Sequence, residues 1–568
     1  MDIQRTLLIG AVILLSFMLL QEWVNFRADK EPQVAVEQRL TADSVADSST
    51  PTLSDAELPV ADSSGDVSED LPSLAEPAAE QAPVTTSTPA SDLVRIYTDT
   101  LELAVDLNGG DIIEVALPKF QLRLDDPDTP FVLLENNQQR VYVAQSGLIG
   151  ENGIDAKGRA KFSAAQNTYR MGDADELSVD LKHTTDTGVE VIKRLSFERG
   201  SYVATVTYQV TNNSSQRWQA NLFGQIKRDS SAAPQSDNGG MGMQPFLGAA
   251  TTTPDDRFEK FSFEDMAEEP FREKLQGGWI AMIQHYFLSA WIPDPSSAHT
   301  YTTRVTKGGF NIAGFTSSAF AVDPGASTEV SARFYAGPKD QYSLKEISPF
   351  LDLSVDYGWL WWVAQPLFWL LTKIHSLVGN WGVAIILLTV SIKAVFFKLS
   401  ATSYRSMANM RRVQPKLQDI REQYAEDKQK QSQAMMELYR KEKINPMGGC
   451  LPILVQMPVF IALYWVLMES VELRHAPFML WIDDLSVMDP YFVLPLMMGA
   501  SMWFMQKLNP PPPDPMQAKI MQWLPIVFTF FFLWFPAGLV LYWVVNNLLS
   551  MAQQFYITRQ IEKADAAR

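Results

Sequence analysis

Two hydrophobic periods divide this chain. Between about Leu93 and Pro349, apolar and polar residues alternate in short runs separated by Asn, Asp and Gly clusters. VRIYTDTLELAVDL, ELSVDLKH, VEVIKRLSFE and YVATVTYQVTN are examples. Period-two alternation rich in Val, Ile, Thr and Tyr turns one face of each run to a core and the other to water, which predicts antiparallel strands. Residues 94–349 therefore read as one large β-sandwich domain.

The second period is that of the membrane helix. Apolar runs at 383–399, 450–468, 491–507, 522–537 and 538–556 each approach the ~20 residues that cross a hydrocarbon layer. The last two abut at Pro536-Ala537-Gly538, a turn signal that predicts a tight helical hairpin. A further run, Thr6 to Trp23, lacks an A-x-A-like cleavage site in the LLQEWVNF that overlaps its end. It predicts an uncleaved signal anchor over residues 1–27. The segment 357–379 is interrupted by Gln365, Pro366, Lys373 and His375 and has Trp clustered toward one end, the pattern of an amphipathic helix lying in the membrane surface. The expected fold is a polytopic α-helical membrane protein with six transmembrane helices, a large external β-sandwich and a cytoplasmic helical hairpin. The hairpin spans 401–445 within a five-helix core at 380–560, followed by a short tail at 561–568.

Composition adds a linker and an orientation. Residues 28–93 are Ala, Ser, Thr, Pro and acids with almost no aromatics. Such a stretch buries too little apolar surface to offset ordering entropy and reads as a disordered tether. The net charge of -18 is unevenly spread: residues 1–357 carry 28 Lys/Arg against 51 Asp/Glu, and residues 358–568 carry 19 against 14. Residues 400–449 hold ten Lys/Arg, whereas 469–490 hold only Arg474. The positive-inside tendency puts 400–449 in the cytoplasm, with both chain ends inside and the β domain outside. A single cysteine, Cys450, excludes an internal disulfide framework and a Cys-rich zinc site. The sandwich carries no GxSxG, HExxH or Gly-rich phosphate loop, and no cofactor is implied.

Candidate chemistry centres on Lys393, the lone charge in VAIILLTVSIKAVFF. A cation at the middle of a membrane helix costs roughly 2.5–3.5 kcal/mol on insertion scales. One reading is that it lines a wet pocket; the other is snorkelling toward a nearby helix end. At ~1.5 Å per residue, Lys393 and Gln456 lie about 10 Å above the cytoplasmic ends of their runs. Ser501 and Thr529 fall at similar depths, and Asn546 and Asn547 somewhat deeper. The outer halves hold almost no polar side chains beyond tyrosines, including Tyr542. A pore needs polar lining at both depths, so the pattern predicts a pocket open to the cytoplasm and closed outside. For each Asn, Gln, Ser or Thr alone, interhelical fastening is the favoured reading, and it is their shared depth with Lys393 that points to a pocket. The rival class is a small-solute transporter or channel using the same charged pocket; inverted repeats would favour it, and none is apparent. No paired acids, Ser/His pairs or metal-spaced ligands occur in the spans, so an enzyme is not expected.

The motifs NWGVAIILLTVSIK, MANMRRVQPKLQDIRE, INPMGGCLPILVQMPVFIALYWVL, ELRHAPFMLWIDDLS and DPMQAKIMQWLPIVFTFFFLWFPAGLVLYW resemble the YidC-type membrane protein insertases of the YidC/Oxa/Alb family. They cover nearly all of 357–560, and the layout matches the long Gram-negative form with a periplasmic domain. The resemblance implies a multi-pass inner-membrane protein that receives nascent membrane proteins in a hydrophilic groove open to cytoplasm and lipid. It also implies work alone or with the Sec translocon, and contact with the ribosome through the cytoplasmic hairpin. The groove positions of the family map onto Thr389, Lys393, Gln456, Tyr542 and Trp543; Ser501 and Asn546 join them by depth. Two positions depart from the family pattern, with Lys393 where arginine is usual and Trp543 where tyrosine is common. Six acids interleave with the basic residues of the hairpin, which argues against sequence-specific nucleic-acid binding.

Overall fold

Alternation becomes burial in the first domain of the computed structural model, which describes residues 92–234, 245–425, 427–442, 451–508 and 515–566. Along Val189–Glu198 every second side chain is buried, and Val203–Asn212 repeats the pattern. These two strands pair antiparallel, with Val206 opposite Leu195, so their buried sets fall on one face. Among the described residues the strands form two sheets, of eleven and nine strands. Residues of both sheets, Leu103, Phe131 and Leu148 from one and Leu181, Val191 and Phe334 from the other, share a single core. The expected β-sandwich is thus present from Leu93 to Pro338. The proposed anchor (1–27), nearly all of the tether (28–93) and the INPMGGC turn lie outside the described residues.

Two short helices belong to this domain, α1 (Phe263–Glu268) and α2 (Gln341–Ile347). The helical region follows: α3 (Trp361–Val378), α4 (Trp381–Val395), α5 (Phe397–Gln423), α6 (Lys428–Lys441), α7 (Leu451–Glu469), α8 (Val493–Leu508), α9 (Pro515–Phe531) and α10 (Ala537–Ala566). Helix α3 is apolar on both its buried and its exposed side. Ala364, Phe368 and Leu371 are buried, while Trp361, Trp362 and Trp369 are exposed. It ends at Gly379, whose φ of 66° is cheap only without a Cβ. Asn380 then caps α4 by accepting from the Val383 N–H.

The run 383–399 is not one straight helix. It breaks at Phe396, and α5 leaves α4 at 68°. No Gly or Pro marks the break, so hydropathy alone passes straight through it. Among the described residues no single helix is long and apolar enough to cross a membrane, although the bent α4–α5 pair meets the test together. The run 522–537 also ends early. Helix α9 stops at Phe531, and a short 3-10 turn at Phe532–Trp534 leads to extended Phe535. Helix α10 starts where Pro536-Ala537-Gly538 predicted the turn. Its first amides are held by the preceding loop, Ala537 N–H on the Val487 carbonyl at 2.7 Å and Gly538 N–H on that of Leu485 at 2.9 Å.

Helices α5 and α6 pack against each other within the described part of 401–445. Val413 and Leu417 pack on Met435, Leu438 and Tyr439, and Lys416 meets Glu442 at 2.6 Å. Asp427 caps α6 through the N–H groups of Gln429 and Lys430. The sandwich is joined to the helices at the outer end of α7. There the His285 ring bonds the Met468 carbonyl at 2.9 Å, and Arg474 donates to the Gln121 carbonyl at 2.6 Å.

Candidate functional site

Lys393 stands in the last turn of α4, two residues before its end at Val395. The break at Phe396 makes this a helix C-terminus, where the backbone carbonyls favour a cation. Its ammonium donates to Ser550 Oγ on α10 at 2.8 Å and to Gln456 Oε1 on α7 at 3.4 Å. The Gln456 amide donates onward to Asn546 Oδ1, and the Ser550 hydroxyl donates to the Asn546 carbonyl at 2.6 Å. Three helices are thereby tied by one polar chain. Every partner of Lys393 is neutral, and no carboxylate among the described residues reaches it.

Beside this chain lies a small open hollow of about 10 Å³, room for about one water molecule. Lys393, Gln456 and Ser400 give it polar lining, and Ile392, Phe396, Leu399 and Val455 give it apolar lining. It lies at the bend, lined from both sides of it, by Ile392 and Lys393 of α4 and Leu399 and Ser400 of α5. Such a site can hold a charged or polar group against a cation in partly dry surroundings, where the attraction is stronger than in water.

The other predicted residues separate into two settings. Ser501 is buried, donates to the Met498 carbonyl at 2.7 Å, and accepts from Asn547 at 2.9 Å, fastening α8 to α10. Thr529 packs against Gly499, which lies with Ser501 on α8, and turns its hydroxyl to the Pro525 carbonyl at 2.7 Å. Gly499 permits that approach, since a Cβ there would collide with Thr529 Oγ1. Asn546 and Asn547 are adjacent on α10 and so face different neighbours, which splits the polar set that shared depth had grouped. Thr389 is buried and bonds the carbonyl of Ile385 in its own helix at 2.7 Å. It shares the Lys393 face by four-residue spacing but takes no part in the polar chain.

Tyr542 and Trp543 lie above, toward the α10 N-terminus. Tyr542 is 1% exposed, with its hydroxyl toward the Gln456 side chain. Trp543 is half-buried, edge-on to Phe460 at 4.4 Å and 5.3 Å from Phe532. The two begin an aromatic wall. Ser550 is the residue sequence reasoning missed. Its four-residue spacing from Asn546 was the available signal, placing both on one face of α10.

Two family models match the chain: the YidC periplasmic domain over residues 93–370 and the 60Kd inner membrane protein over 373–564. The membrane protein insertase YidC of Pseudomonas fluorescens SBW25 is 52% identical over 570 residues, covering 100% of this chain and 99% of that protein. The chain belongs to the YidC family. The YidC insertase of Azotobacter vinelandii is 53% identical, and that of Pseudomonas putida W619 is 54% identical, each with 99% of both chains covered. A solved active YidC insertase aligns with 83% of this chain at 18% identity and a TM-score of 0.37, which adds nothing to the assignment. The family places this chain in the bacterial inner membrane, with a β-rich periplasmic domain and a helical C-terminal region. YidC proteins are insertases rather than enzymes.

Proposed function

We propose that this membrane protein insertase works through the bend between α4 and α5. A polar or acidic segment of a nascent membrane protein enters the hollow from the cytoplasm, where Lys393 offsets part of its desolvation cost. The hydrophobic helix of the client then leaves sideways into lipid, driven by burial of apolar surface at about 25 cal/mol per Å². The observation that carries this reading is the ammonium of Lys393 held by neutral partners alone. A buried cation so arranged keeps its charge available for an incoming anion.

Helix lengths support the sideways exit. Helices α4, α8 and α9 have 15, 16 and 17 residues. At ~1.5 Å per residue they run about 22–26 Å, short of a ~30 Å hydrocarbon layer, and favour a locally thinned bilayer. In this reading five spans make the core at 380–560, a sixth anchors residues 1–27, and both termini are cytoplasmic. Residues 28–93 tether the periplasmic domain (94–349), and α3 lies in the outer membrane surface. The hairpin at 401–445 meets the ribosome, and part of the work is shared with the Sec translocon. Thr389, Tyr542, Trp543, Gln456, Ser501 and Asn546 line or brace the path beside Lys393. The test is photocrosslinking from positions 456 and 543 to a stalled nascent chain. Adducts at both positions are expected; their absence while the client still inserts refutes the path.

A further inference from the structure

The bend at Phe396 has no breaker of its own. Sharp bends in helices usually trace to proline, glycine, an extra residue in the ladder or an inserted side chain. TVSIKAVFFKLS, which spans this one, holds neither Gly nor Pro, and the chain still turns by 68°. A break leaves the last carbonyls of one helix and the first N–H groups of the next without helical partners. Straightening would repair that loss, so contacts from outside the run must hold the bend.

Helix α10 is the element in reach, since α4 and α5 each pack on it more than on one another. Three of its polar residues, Asn546, Ser550 and Gln553, are spaced four and then three apart and so share one face. Ser550 touches both sides of the break. It accepts from the Lys393 ammonium of α4 at 2.8 Å, and the Tyr404 hydroxyl of α5 meets it. The Gln553 amide donates to the carbonyl of Phe397, the first residue of α5, at 3.1 Å. Asn547 and Gln554, seven apart on another face, reach Ser501 and the Leu508 carbonyl of α8 instead. Gln553 is not among the described residues that line the hollow, so a change there reaches the groove through the backbone of α5.

We propose that Gln553, with Ser550, is a positioning residue for insertion: from α10 the pair holds α5 off the axis of α4 and, on the groove reading above, keeps the site beside Lys393 open. The clamp is a side-chain donor on a backbone carbonyl. Position 553 therefore needs a hydrogen-bond donor of similar reach, and glutamine as such is not required.

The test uses the full-length chain in membranes, in a Cys450→Ser background with spin labels on Leu387→Cys and Gln418→Cys. Pulsed dipolar spectroscopy between the labels reads the bend, and insertion of a client with an acidic translocated segment reads the groove. At ~1.5 Å per residue the two backbone sites lie about 40 Å apart across the bend and about 46 Å apart along a straight helix. Gln553→Leu is expected to add the longer population and to lower insertion about threefold, the size of effect that one modest hydrogen bond carries. Ser550→Ala/Gln553→Leu should extend both effects. Gln553→Lys, which keeps a donor, is expected to restore the shorter distance and wild-type insertion. An unchanged distance in the double variant overturns the clamp, as does a Gln553→Lys chain that matches Gln553→Leu. A straightened chain that inserts at the wild-type rate overturns the groove reading, and the role in insertion with it.

Discussion

The Lys393 ammonium meets the Ser550 hydroxyl at 2.8 Å, joining the last turn of α4 to the middle of α10. That bond gives Lys393 a direction. The side chain is aimed across the bundle at α10 and α7, which a snorkelling lysine would not do. Helix α5 leaves at 68° just beyond, so the cation sits beside an opening instead of under a continuing helix.

The charge at Lys393 should therefore matter more than its shape. Lys393→Arg is expected to keep insertion of clients with acidic translocated segments, while Lys393→Glu is expected to lower it by tenfold or more, since about 1.4 kcal/mol is a factor of ten. Protease protection of such a client after depletion of the native protein checks this. Equal insertion by all three forms would remove the electrostatic role.

Ser550→Ala removes one acceptor of the ammonium and the bridge to the Asn546 carbonyl. The loss of a hydrogen bond to a charged group is expected to cost about 1.5–3 kcal/mol. A lower melting temperature of the detergent-solubilised protein should report it, and Ser550→Thr should recover most of the loss. An unchanged melting temperature in Ser550→Ala would mean that the bond contributes nothing in the membrane region.

Gly499 has no room for a methyl group, because Thr529 Oγ1 occupies the site of a Cβ. Gly499→Ala should force α8 and α9 apart and destabilise the bundle by about 1–3 kcal/mol. Adding Thr529→Ala should recover part of that loss. Thermal denaturation of the two variants decides it, and a fully stable Gly499→Ala would contradict the close approach.

The interdomain contact at His285 should be acid-sensitive. Burial, with the nearby Lys339 and Arg474 charges, pushes the imidazole down to about 3, against the Met468 carbonyl bond that favours its charged form. Below about pH 6.5 the unfolded chain takes up the proton that the native site refuses, so this contribution is complete above 6.5 and fades as pH falls toward 3. Glu472, raised to about 7 by burial, and Asp484, also raised, titrate with the opposite sign. The clean quantity is thus the difference between wild type and His285→Gln. It should move in favour of the variant by about 1–2 kcal/mol between pH 7 and pH 5.5. A pH-independent difference would show that the imidazole does not titrate there.

Much of the architecture was legible because both periods are simple. Strands such as Val189–Glu198 wrote their burial in alternation. Strands Ile280–Ile283 and Phe287–Pro293 are buried on every side chain, so they had no alternation to read. The break at Phe396 was hidden for another reason: Val395, Phe396 and Phe397 are all apolar, and composition does not register a turn of the backbone. Depth found Lys393 and Gln456 together, and they do meet. It also grouped Ser501 with them, whereas Ser501 pairs with Asn547 on another face of α10. Distance along a helix gives height, and only the packing gives azimuth.

The central claim is a cytoplasm-facing wet site around Lys393, and cysteine accessibility tests it most directly. In a Cys450→Ser background, single cysteines at 456, 546 and 550 would be exposed in inverted vesicles to a membrane-impermeant maleimide. Labelling is expected at these positions from the cytoplasmic side, with protection of a cysteine at 464 higher in α7. Protection of all three inner positions would contradict it.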